Sequence, residues 1–83
     1  MKIVERFIVI PFRKGRKNSI ILGEIRQASS EASAERIAES MARYNLGASA
    51  IAVLVDEETG DMTSPRLIRE FGQVKNVIEE MAA

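Results

Sequence analysis

Arg13, Lys14, Arg16 and Lys17 crowd the stretch PFRKGRKN, residues 11–18, with Gly15 between the two pairs. Cations at this density do one kind of chemistry well: they contact phosphates and release the counterions condensed on them. A glycine among them lets a backbone approach closely. The same residues also suit a solvated turn, with lysine and arginine guarding a strand edge. Four cations neutralise only a few phosphates, and one tyrosine with no tryptophan leaves little on which bases can stack. Phe12, next to the loop, belongs in the core. The loop is thus a candidate nucleic-acid contact whose simpler reading is a turn.

A second cluster, Asp56, Glu57, Glu58 and Asp61 around Gly60, has the oxygen donors that calcium or magnesium takes. Its glycine comes too early for an EF-hand loop and no glutamate closes the pattern, so no metal is expected. A solvated hairpin end is the better reading. Opposite in charge to the basic loop, it can also guide antiparallel pairing of two copies.

The parts for catalysis are sparse. With no histidine and no cysteine, the chain lacks the usual near-neutral general base and the best side-chain nucleophile. Ser19 near Lys17 and Ser64 near Arg66 are the local candidates, and strand-edge and capping roles explain both. The glycines at 15, 23, 47, 60 and 72 form no phosphate-cradling motif. No enzyme and no cofactor is expected. Tyr44 can mark a partner surface, although an amphipathic boundary position accounts for it as well.

The elements that must carry these residues follow from periodicity. Residues 3–12, IVERFIVIPF, are apolar on both alternating faces from Phe7 to Ile10, as in a central strand covered on both sides. Pro11 cannot donate to a ladder, which predicts a strand end or a bulge there. Residues 19–28 read as a second strand, with Gly23 at a bulge or close approach, and the basic loop joins the two as a hairpin tip. The period then changes. Ala34, Ile37, Ala38, Met41 and Ala42 share one helix face, Ser29 or Ser30 can cap its start, and Asn45 or Gly47 can supply a left-handed stop.

Residues 48–56 read as a third strand, turned by EETGD at Gly60. Residues 64–72 fit a helix started by Ser64 and Pro65, or a strand; the strand is favoured because it shields the third strand's edge. Residues 73–83 read as a short final helix through Val74, Val77, Ile78 and Met81.

This order predicts one α+β domain over residues 1–83: a four-stranded antiparallel sheet of order 2-1-3-4 in a ββαββα chain, with the main helix on one face and the short C-terminal helix. The basic and acidic tips then lie at opposite ends. Residues 1–26 hold seven cations and two anions, and residues 27–83 five cations and ten anions, so a net charge of zero hides a dipolar molecule. One helix covers one face, leaving Ile8, Ile10, Val53 and Val55 to project from the other. An apolar patch left bare there would suit a twofold homodimer, which an undersized core would favour. A ligand pocket between helix and sheet is opposed by the alanine-rich contact face, which predicts close packing.

At SSEASAERIAESMARYNLGASAIAV followed by DEETGDMTSPRLIREFGQV, the chain resembles a loose group of short uncharacterised bacterial proteins. They share a Ser-Glu-Ala helix and an Asp-x-Glu-Thr-Gly hairpin. The likeness spans residues 7–74 and rests on structural punctuation, so it implies a soluble bacterial protein and transfers no functional residue. Glu5 and Arg6 interrupt the N-terminal apolar stretch and no cleavage site follows, so mature chain and a cytoplasmic location are expected. No apolar run approaches the ~20 residues that span a bilayer. The reading that results is a non-catalytic binding module, homodimeric through its sheet face. The alternative is a nucleic-acid-binding module using Arg13, Lys14, Arg16 and Lys17.

Overall fold

The computed structural model describes residues 2–74. The expected final helix falls, beyond Val74, outside the described residues. Among these residues five strands and one α-helix run in the order β1 (Ile3–Lys14), β2 (Ile20–Leu22), β3 (Arg26–Ala28), α1 (Glu31–Met41), β4 (Gly47–Asp56) and β5 (Met62–Gly72). The class is α+β, with an antiparallel sheet and one main helix. Among the described residues no helix is long and apolar enough to cross a membrane.

The sheet departs from the expected four strands in the order 2-1-3-4. It has five, ordered β2-β1-β4-β5, with β3 also paired to β1. The cause is Pro11. Far from ending the strand, it sits buried inside β1, opposite Ala48 of β4. Its carbonyl accepts a hydrogen bond from Gly23 N–H at 2.8 Å. Both backbone groups of a strand residue face the same neighbour in an antiparallel ladder, and proline has no N–H to return. The edge strand is interrupted just past this point: Leu22 still pairs with Phe12, pairing resumes at Arg26 opposite Val9, and one expected strand becomes two.

β4 runs beside β1 from Ile3 opposite Asp56 to Phe12 opposite Gly47. β5 completes the other edge, the strand reading of residues 64–72 rather than the helical one. It tolerates Pro65 through an irregularity. Arg66 faces Ala52 and Thr63 faces Leu54, so Ser64 and Pro65 together oppose Val53 alone, with Ser64 at φ 49. A second shift between Ala50 and Ile51 leaves Ile68 without a partner in the ladder, and its side chain packs with the helix-side cluster.

α1 forms where the alanine period places it. Ser30 is extended at φ −156, and its side chain accepts from Ser33 N–H at 3.1 Å, a helix N-cap. Ser30→Ala should cost about 1 kcal/mol, read as an earlier midpoint in urea unfolding with unchanged slope. Ala34 and Ala38 are fully buried against Val9, Ala48 and Ala50, with Phe7, Ile37, Met41 and Phe71 around them. The expected left-handed stop is absent at both Asn45 and Gly47, neither of which has positive φ. Instead the Asn45 side-chain amide donates to Met41 O at 2.8 Å, so a side chain satisfies the helix end, and Gly47 opens β4.

The face turned away from the helix is not bare. Ile8, Ile10, Phe12, Ile51 and Val53 are buried there within a single chain, with Ile20, Val55 and Val74 packed against them. The four residues expected on this face, Ile8, Ile10, Val53 and Val55, do lie on it, but the first three are buried and Val55 is half-buried. Register places Leu22, Met62 and Leu67 on this same face, and these do remain exposed.

Candidate nucleic-acid interface

β1 delivers Arg13 and Lys14 as its last two residues, and a three-residue 3-10 turn, Arg16–Asn18, carries Arg16 and Lys17. The reversal is tight because Lys17 (φ 56) and Asn18 (φ 62) are both left-handed, a conformation lysine adopts at some cost. Short bonds hold it: Gly15 N–H donates to Ser19 O at 2.7 Å, Ser19 N–H to Arg16 O at 3.1 Å, and the Ser19 hydroxyl to the same Arg16 carbonyl at 2.8 Å. Gly15 serves this closure rather than the approach of a ligand. A Cβ there would come within 2.6 Å of Ser19 Oγ and 2.9 Å of Ile21 Cγ2. Ser19, a candidate nucleophile by position, directs its hydroxyl into the turn.

All four basic side chains are exposed, and none makes an ion pair among the described residues. The far end differs. Glu57, in the turn after β4, lies 3.8 Å from Lys2 Nζ and 3.4 Å from the Arg6 guanidinium. Arg6 is thereby committed to the acidic end. Arg26 sits on β3 opposite Val9, well down the sheet from the tip. Asp56 Oδ1 accepts from Glu58 N–H at 2.9 Å and Thr59 Oγ1 from Asp61 N–H at 3.2 Å, as in an ordinary polar turn. No group of three or more acidic, histidine or cysteine side chains suited to a metal occurs among the described residues.

The structure adds a partner that the sequence did not join to the loop. The segment after α1 docks on the end of β1: Leu46 N–H donates to Phe12 O at 2.9 Å, and Gln73 N–H to Leu46 O at 3.0 Å. Tyr44 N–H donates to Met41 O at 3.1 Å. Anchored this way, Tyr44, Asn45 and Leu46 form an open cleft of about 290 Å³ with Arg13 and Lys14. Tyr44 is 85% exposed, the most exposed of the large apolar or aromatic side chains among the described residues. Arg43 lies beside it in the same turn, also exposed. The signal in sequence was the pairing of Arg43 and Tyr44 just past a helix that runs antiparallel to the second strand, hence toward the basic tip.

Comparison with protein families, curated proteins and solved structures finds no match to this chain. The likeness to short bacterial proteins gains no support from these comparisons, and the functional reading rests on the site's own chemistry.

Proposed function

We propose that the protein is a binding module whose working end is the basic hairpin tip, and that the tip grips the phosphodiester backbone of nucleic acid. One observation carries this: the cations at the tip are exposed and unpaired among the described residues, while the acidic end is partly neutralised by Lys2 and Arg6. Net neutrality does not oppose it. The β1–β4 ladder separates the two ends by about 30 Å, against a Debye length of ~10 Å at 0.1 M salt. A phosphate at the tip therefore responds to the local charge, not to the total. The proposal assigns no catalytic step. Association through Ile8, Ile10, Val53 and Val55 is not part of it, because a second copy would find most of those side chains already buried.

The test is binding to labelled oligonucleotides over a range of salt. If four phosphates are neutralised, log K should fall against log salt with a slope of about −3 to −4. Changing Arg13, Lys14, Arg16 and Lys17 together to alanine should abolish retention at low salt and leave the melting temperature within a few degrees, since none of the four is buried. Undiminished binding by that variant, or no binding by the parent chain, would reject the proposal.

A further inference from the structure

The tip has a flat apolar surface beside its charges, and this bears on which polyanion it takes. Most tyrosines in small domains bury much of the ring and leave only the hydroxyl wet. Tyr44 is 85% exposed, yet its backbone is held on both sides: by its own bond to Met41 O, and through Leu46 to Phe12 O at the end of β1. It lines the same cleft as Arg13 and Lys14. An exposed ring on an anchored turn, with cations around it, is the arrangement that receives an unpaired base while adjoining phosphates meet the cations. A duplex offers phosphates to the same cations, but its bases are stacked on one another and cannot reach the ring.

Resting on the reading of the basic tip given above, we infer that the ligand is a single-stranded nucleic acid with one base stacked on Tyr44 and its neighbouring phosphates on Arg13 and Lys14. Arg16 and Lys17, on the turn beyond, extend the contact along the strand. The ring stacks on any base, so the inference carries little sequence preference. One N–H of the Asn45 amide is engaged by Met41 O, which fixes the orientation of that side chain at the cleft.

The chain supplies its own probe, because Tyr44 is the single tyrosine and there is no tryptophan, so intrinsic emission reports on this ring alone. The full chain is titrated at low salt with a thymidine oligonucleotide of about ten nucleotides. Parallel titrations use an adenine–thymine duplex, inorganic polyphosphate, and phosphatidylglycerol vesicles. Saturable quenching by the single strand, and none by duplex or polyphosphate, is the expected result. Tyr44→Ala should weaken the labelled single strand by roughly tenfold in anisotropy, from the worth of one stacked base, while affinity for polyphosphate holds. Tyr44→Phe should bind the oligonucleotide like the parent.

Single-strand binding with unchanged tyrosine emission and no loss in Tyr44→Ala would overturn the stacking inference and leave the basic-tip reading standing. Absence of binding to every nucleic acid and to polyphosphate would remove both. Binding to the vesicles alone would also remove both and make the tip a membrane contact.

Discussion

Gly47→Ala should lower the melting temperature by about 15 °C or leave the chain unfolded, read by circular dichroism during a thermal ramp. Gly47 opens β4 directly opposite Gly72, where β5 ends. A Cβ on Gly47 would strike Phe71 O, Gln73 O and Gln73 N, and all three are backbone atoms that no rotamer change can move. Overpacking of this kind costs ~3 kcal/mol. In a domain of this size each kcal/mol shifts the midpoint by about 4–8 °C. Gly72→Ala should behave similarly, because Gly72 has φ +71 and a Cβ there would meet Leu46 O. Gly60 is the control. It also has positive φ, +80, but nothing lies within 4 Å of the added carbon, so Gly60→Ala should lose only ~1 kcal/mol for the left-handed backbone. If Gly47→Ala and Gly60→Ala melt together, the two strands do not approach as closely as this structure has them. The consequence reaches the site, since Leu46, which immediately precedes Gly47, holds the Tyr44 turn against β1.

Local pattern made much of this legible. The run of Ala34, Ile37, Ala38 and Met41 with Ser30 before it marks α1 because helix period and capping are short-range properties. The directions of the strands followed from short connections, and with them the separation of the basic and acidic tips. What escaped was long-range or depended on single backbone groups. Pro11 reads in isolation as a strand end or a bulge. Only the pairing shows that its missing donor faces the edge, where the break in a peripheral strand absorbs the loss. Ser64 and Pro65 fit a helix start as well as the favoured strand, and only the pairing shows them as an irregularity opposite Val53 on an edge strand. The site was half legible: its cations stand together in sequence, but Tyr44 is thirty residues from Lys14. It joins them through one hydrogen bond between Leu46 and Phe12, which no periodicity encodes. The sheet face turned away from the helix was legible only in part. Alternation identifies which side chains share a face, but says nothing about whether the same chain buries that face.

Ala38→Leu tests the contact that sets the distance between helix and sheet, and should cost about 2–3 kcal/mol. Two opposed effects decide the sign. The added carbons would gain ~0.8 kcal/mol for each buried methylene if there were room for them. Ala38 is fully buried, however, and faces a surface built from the equally small Ala48 and Ala50 with Val9. Lifting α1 to make room is resisted near both ends: Glu31 accepts a hydrogen bond from Arg66 at 3.0 Å, and the turn after Met41 is tied to β1 through Leu46. Strain should therefore exceed the gain. Ala38→Gly provides the scale, since it removes volume and costs ~1 kcal/mol in helix propensity. The larger residue should be the worse of the two in urea unfolding, with the slope unchanged. A leucine that instead raises stability would reveal slack between helix and sheet, and with it room for a small ligand that the alanine surface otherwise denies.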